Sequence, residues 1–185
     1  MAPVEWPEQV PILTDGALVL RPWAPEDHKD VLAACQDAEI QRWTTVPSPY
    51  TAEDAEEFLA AVGALWEDRS AMPFAIDLAG ERRLAGSIGV VALDSSSGRG
   101  ELGYWVSPWA RGRGVAGSAL RLLSEWAFHS AGFSSLHMMI DPGNQPSARA
   151  AARAGFEAGR AFGVPLRESD AGDLVVHGLC AEDLS

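Results

Sequence analysis

Residues 101–117 read ELGYWVSPWARGRGVAG, and the rest of the chain is best understood outward from this stretch. Leu102, Tyr104 and Val106 alternate with Glu101, Gly103 and Trp105, the period of a strand buried mainly on one face. Ser107 and Pro108 end that strand. Gly112, Gly114 and Gly117 then lead into a run with apolar residues at helical spacing. At such a helix start the first backbone N–H groups point outward without partners, so they suit a phosphate. Glycine lets a ligand approach the backbone closely. Arg111 and Arg113 can add charge-assisted contacts.

Three phosphate-loop readings compete. A Walker loop needs G-x-x-x-x-G-K-[ST], but Ser118 stands where the lysine should be, so that reading is rejected. The dinucleotide fingerprint G-x-G-x-x-G is matched by Gly112, Gly114 and Gly117, and Asp141 ends the next strand at roughly the distance of a ribose-binding acid. Against it, Ser107 to Arg111 separate the strand from the first glycine, and too little chain follows Gly117 for a long βαβ series. The third reading is an acyl-CoA pyrophosphate loop. Here the stretch resembles the GNAT superfamily of N-acetyltransferases, whose pattern Gln/Arg-x-x-Gly-x-Gly/Ala is met by Arg111, Gly114 and Ala116. For the loop alone, a glycine-rich turn without a ligand is the plain alternative.

Composition narrows the classes. A length of 185 residues suits one domain with a full core, and 47% hydrophobic with 22% charged residues is ordinary for a soluble globular protein. A net charge of −12 argues against general nucleic-acid binding, which needs a basic footprint. It is compatible with a cationic substrate or simply with an acidic, soluble surface. No apolar run reaches the length of a membrane span, and the acidic, proline-rich start lacks the form of a signal peptide. Cys35 and Cys180 have no ligand spacing and read as buried thiols in a reducing, cytoplasmic compartment. His28, His129, His137 and His177 are scattered, so no metal is expected.

Taken in order, residues 1–13 read as an irregular arm and 14–185 as a single domain. Ala17 to Arg21 is the first strand, and a helix from Pro25 to about Gln36 follows. Residues 37–50 read as a loop or broken helix. Thr51 and Asp54 form an approximate capping box for a second helix carrying Ala55, Phe58, Leu59, Val62, Leu65 and Trp66. Phe74 to Leu78 and Leu84 to Leu93 read as an antiparallel hairpin. After Gly114 a long helix is expected to bury Val115, Ala119, Leu122, Leu123 and Trp126 and to stop at Gly132. Leu136 to Ile140 is a buried strand, a short helix starts at residues 144–147 and ends at Gly155, and Phe156 to Phe162 and Leu174 to Cys180 are the last strands. The order β-α-α-β-β-β-α-β-α-β-β describes a mixed α/β domain around one sheet.

The resemblance extends along residues 13–183. LTDGALVLRPWAPEDHKDVLAACQDAEIQRW (residues 13–43) looks like the opening of the ribosomal-protein N-terminal acetyltransferase branch, the RimJ/RimL type. Residues 101–106 look like its Glu-Ile-Gly-Tyr-Trp strand. Asn144-Gln145-Pro146-Ser147 followed by Ala154-Gly155-Phe156 resembles its Asn-x-x-Ser…x-Gly-Phe segment, and residues 173–176 resemble its closing strand. The resemblance implies the GNAT fold: a mixed central sheet of about seven strands with four helices, splayed between the fourth and fifth strands. It further implies direct transfer of acetyl from acetyl-CoA to a primary amine, on a protein N-terminus or a small molecule. A non-catalytic acyl-CoA-binding module of the same fold is the alternative. Edge strands at the C-terminal end would allow pairing as a homodimer.

The resemblance also implies roles. A backbone N–H at Val106 or its neighbour polarises the thioester carbonyl, beside Trp105. Residues 111–117 (Arg111, Gly112, Arg113, Gly114, Val115, Ala116, Gly117) hold the pyrophosphate, Asn144 contacts the pantetheine arm, and Arg149 and Arg153 approach the phosphates. Glu101 is the candidate base and Ser147 the candidate proton donor to the thiolate; their plain alternatives are a strand-end carboxylate and a helix-start hydroxyl. Many superfamily members carry a tyrosine four residues before Gly-Phe, and here that position is Ala151. Trp43, Tyr50 and Trp66 are candidate walls for the acceptor, with ordinary core packing as the alternative. Asp37, Glu39, Asp94 and Glu101 could attract a cationic amine.

Overall fold

The computed structural model describes residues 4–163 and 173–184, so the first three residues of the arm and Ser185 lie outside the described residues. In chain order its elements are β1 (Leu13–Thr14), β2 (Leu18–Arg21), α1 (His28–Ala34), α2 (Ala38–Trp43), α3 (Ala52–Glu67), β3 (Met72–Leu78), β4 (Gly86–Asp94), β5 (Arg99–Val106), α4 (Val115–His129), β6 (Ser135–Ile140), α5 (Gln145–Arg153), β7 (Glu157–Ala158) and β8 (Val175–Cys180). The strands form one mixed sheet in the order β1-β2-β3-β4-β5-β6-β8-β7. The extra strand relative to expectation is β1, where Leu13 pairs with Leu20. The extra helix is α2, which Asp37 starts by accepting the Glu39 and Ile40 N–H groups at 3.1 and 3.0 Å. No helix among the described residues is long and apolar enough to cross a membrane.

Local sequence accounts for several of these elements. The capping box of α3 is present: Thr51 Oγ1 accepts the Asp54 N–H at 3.2 Å, and Asp54 accepts the Thr51 N–H at 2.7 Å. Before α1, Arg21 forks two nitrogens onto the buried Asp27 at 2.7 and 2.8 Å and reaches Asp77 of β3 at 2.5 Å. That guanidinium clamps the entry to α1 onto the sheet. The strand expected over 156–162 shrinks to β7. Gly159 adopts φ +80°, which turns the chain out of the sheet, and Arg160 then bonds Asp183 at 2.7 Å.

Three further expectations need correction. Of the two cysteines, Cys35 is buried but Cys180, at the end of β8 beside Asp183 and Arg160, is only half-buried. β5 is not buried mainly on one face: Glu101 (1% exposed), Leu102 (3%) and Trp105 (9%) are all buried. The strand lies inside the sheet with apolar packing on both faces, so alternation is blurred. Leu102 joins the core under α4, whereas Trp105 joins a second cluster with Val31, Ile40, Tyr50 and Leu84. On α4 the buried stripe is Val115, Ala119, Leu120, Leu123, Ser124 and Ala127, with Leu122 and Trp126 half-buried beside it. Small residues at 119, 124 and 127 let the helix lie close on the sheet, which rotates the stripe from the side the large residues suggest.

The sheet opens at its centre. β5 and β6 are parallel but pair only at Arg99–Ser135, Gly100–Leu136 and Glu101–His137. β5 runs on to Val106 and β6 to Ile140 without further pairing, so the strands part after Glu101 and His137. This is the splay implied between the fourth and fifth of the expected strands. The other pairings in the sheet are antiparallel, which is not the doubly wound sheet of a dinucleotide-binding domain.

Candidate active site

The site is built from the exposed edge of β5. Ser107 donates its N–H to Ala85 O at 2.8 Å, toward the β4 side. In a trans peptide the Val106 C=O points the opposite way, and in an extended residue N–H and C=O share a side. The polar groups of Val106 therefore face the gap left by β6. Ser107 Oγ and Trp109 Nε1 both donate to Leu84 O at 2.9 Å, and the Arg83 guanidinium lies 3.4 Å from the Trp109 ring centroid. These contacts fix the strand end, and Trp105 anchors it from below in the second cluster.

The loop after β5 stays open. Gly112 and Gly114 adopt φ +74° and +78°, which side chains rarely tolerate, and a Cβ on either would meet nothing within 4 Å. Gly114 caps α4 without a side chain, and the first backbone return bond beyond it runs from Ser118 N–H to Gly114 O at 3.1 Å. The N–H groups of Val115, Ala116 and Gly117 form the uncovered first turn. Gly117 also faces α5, where its Cβ position lies 3.7 Å from Ala150 O and Arg153 Cβ. The two arginines are not turned into the loop. Arg111 pairs with Asp37 at 2.6 Å and Arg113 with Glu81 at 2.5 Å. Arg111 holds the Asp37 carboxyl below its usual range, helped by the α2 amides and opposed by partial burial.

Across the gap, α5 starts at Asn144, whose Oδ1 accepts the Ser147 N–H at 3.2 Å. Ser147 Oγ accepts the Tyr104 hydroxyl at 2.9 Å. Burial pushes the Tyr104 phenol up, and the bond to Ser147 partly offsets this. Tyr104 was missed as a site residue from sequence. The available signal was its position two residues before Val106, hence on the same strand face. Ala151 is fully buried in the core under α4, so nothing polar stands at that position. Arg149 and Arg153 lie exposed on α5.

The remaining candidates do not converge on one point. Glu101 is buried at the fork of the strands, with Oε2 3.6 Å from Nε2 of the buried His137. Glu39 accepts Trp43 Nε1 at 2.9 Å, and Asp94 is bonded by Ser96, Ser97 and Arg99 in its own turn. Tyr50 is a member of the second core cluster, and Trp66 donates to Pro73 O at 2.9 Å. Trp43 is half-buried, and its ring lies 3.3 Å from the Cβ position of Gly143, next to Asn144. A cavity of about 890 Å³ lies elsewhere, between the arm, Trp23 and α3. Asp141 accepts the Gly143 N–H at 2.7 Å and so forms a turn.

Comparison with known proteins agrees with this geometry. Residues 17–157 match the family model described as the acetyltransferase (GNAT) domain. The N-acetyltransferase YoaA of Bacillus subtilis (strain 168), itself uncharacterized, is 24% identical over 147 residues, covering 80% of this chain and 83% of YoaA. Among solved structures, Mycobacterium smegmatis RimJ in complex with a CoA disulfide superposes with a TM-score of 0.77 at 22% identity, covering 100% of this chain and 92% of that one. RimL, a ribosomal L7/L12 α-N-protein acetyltransferase in complex with coenzyme A, superposes with a TM-score of 0.75 at 20% identity, covering 92% and 98%.

Proposed function

The chain belongs to the GNAT acetyltransferase family, and on that premise we propose that it moves an acetyl group from acetyl-CoA directly to a primary amine. The observation that carries this reading is the parting of β5 from β6 directly beside the open, glycine-lined start of α4. The residues there suit acetyl-CoA, which is a substrate of the reaction. The Val115, Ala116 and Gly117 amides offer donors to its pyrophosphate. Arg111 and Arg113 can turn from their carboxylates to reinforce them. Asn144 offers its amide nitrogen to the pantetheine arm, since its Oδ1 caps α5.

In this reading the Val106 N–H polarises the thioester carbonyl, and such a preorganised donor is worth roughly 3 kcal/mol. The amine attacks as the free base. An α-amine of pKa ~8 is already about a tenth neutral at pH 7, a cost of ~1.4 kcal/mol. A lysine at ~10.4 costs about 4.6 kcal/mol and needs a positioned base. Glu101 is proposed as that base. Buried as it is, it takes the proton through an intervening water and not by direct contact. Ser147 is proposed to protonate the departing thiolate. Trp43 is proposed to wall the acceptor site, and residues 14–185 to form the one catalytic domain behind an arm of residues 1–13, whose last residue, Leu13, already pairs in β1.

A protein N-terminus is the first acceptor proposed and a small amine the second. The low cost of an α-amine fits a site whose proposed base, Glu101, is buried and reached only through water. The test is a thermal-shift titration with acetyl-CoA, CoA and NAD, followed by mass spectrometry of a peptide and amine library. Stabilisation by acetyl-CoA of ~2.7 kcal/mol at a hundredfold excess over Kd is expected, with none from NAD. Binding of acetyl-CoA without transfer to any amine would favour the acyl-CoA-binding module, and stabilisation by NAD alone would overturn both.

A further inference from the structure

We propose that Tyr104 is a positioning residue for acetyl transfer, holding Ser147 as the proton donor to the departing thiolate; the inference rests on the acetyltransferase reading above. Three observations support it. Tyr104 Oη lies 2.9 Å from Ser147 Oγ, joining β5 to the start of α5 across the gap between β5 and β6. Ser147 is fixed from its other side, because its own N–H is held by Asn144 Oδ1. Ala151 is fully buried, so this stretch of α5 supplies no alternative hydroxyl at that position.

The direction of the bond follows from chemistry. A phenol is a far stronger acid than an aliphatic alcohol, so Tyr104 donates and Ser147 accepts. The Ser147 proton is then turned away from Tyr104 and is free to be given up. In the step, the amine nitrogen forms a bond to the acetyl carbon and loses a proton to the base or solvent. The C–S bond breaks, and the electron pair left on sulfur takes the Ser147 proton. The Tyr104 hydrogen bond stabilises the oxygen from which that proton departs, and Ser147 recovers a proton from solvent. Burial of the phenol keeps Tyr104 protonated, hence a donor, throughout the neutral range.

The chain has only two tyrosines, so fluorotyrosine labelling gives two fluorine NMR signals, with Tyr50 as an internal control in the second core cluster. The Tyr104→Phe variant assigns them. Ser147→Ala and added CoA are each expected to move the Tyr104 signal and leave that of Tyr50 in place. Tyr104→Phe is expected to lower kcat about tenfold at unchanged KM for acetyl-CoA. Adding it to Ser147→Ala should lower kcat no further. Retained kcat in an active Tyr104→Phe enzyme, or losses that add in the double variant, would overturn the proposal and leave the acetyltransferase reading standing. A parent protein that transfers acetyl to no amine, with both fluorine signals indifferent to CoA, would remove that reading and this inference with it.

Discussion

Asp37 does two things at once: it caps α2 with its side chain and holds Arg111 of the loop before α4 at 2.6 Å. The carboxylate thereby ties the helix that carries Trp43 to the loop proposed to take the CoA pyrophosphate. Asparagine caps a helix as well as aspartate does but carries no charge. Asp37→Asn is therefore expected to leave the melting temperature nearly unchanged. It should tighten CoA binding by up to about fivefold, the ~1 kcal/mol that an exposed ion pair can withhold from a competing anion. Calorimetric titration of parent and variant checks this, and weaker binding in the variant would contradict it.

Arg21 is expected to be costly to remove. It serves Asp27 and Asp77 together, and Asp27 is 7% exposed. Arg21→Ala leaves that buried carboxylate without its partner, a loss of about 3–5 kcal/mol. Urea denaturation measures it. A loss below about 1 kcal/mol, the range of exposed ion pairs, would show that the clamp is not buried in effect.

Cys35 gives an alkaline prediction. Burial pushes its thiol from an ordinary value near 9 up to about 12, and the neighbouring Tyr50 phenol is also raised by burial. Above pH 9 the unfolded chain releases the thiol proton while the folded chain keeps it, so the folded state binds more protons there. Stability is thus undiminished below about pH 9 and falls as pH rises toward 12. Cys35→Ala should flatten part of that fall in pH-resolved melting curves. An unchanged slope would assign the fall to other groups.

Gly114 is expected to matter for conformation and for access. Its φ of +78° disfavours any side chain, so Gly114→Ala should cost about 1–2 kcal/mol of stability. The added methyl sits in the loop mouth and should weaken acetyl-CoA binding more than Gly117→Ala, whose Cβ meets only ordinary contacts at 3.7 Å. Parallel titrations of the two variants decide this.

Much of this arrangement was legible in the chain because it depends on local grammar. The Thr51–Asp54 box, the glycines at 112 and 114 and the strand ending at Ser107 all carry their geometry in a few adjacent residues. What was not legible depends on residues distant in sequence. The Arg21 clamp joins positions 21, 27 and 77, the Tyr104–Ser147 bond spans 43 residues, and the loop arginines meet Asp37 and Glu81. The burial of β5 residues on both faces was hidden for the same reason, since the elements that cover its second face come from residues 31–84.

The proposed reaction, transfer of acetyl to an amine through the gap between β5 and β6, can be observed directly. The most direct measurement is incubation of the parent protein with acetyl-CoA and a library of peptide N-termini and small amines, read by mass spectrometry alongside Ser147→Ala. The expected result is a product carrying one acetyl group, formed by the parent and strongly reduced in the variant while acetyl-CoA binding is kept. Acetyl-CoA binding with no acetylated product from any amine would contradict it.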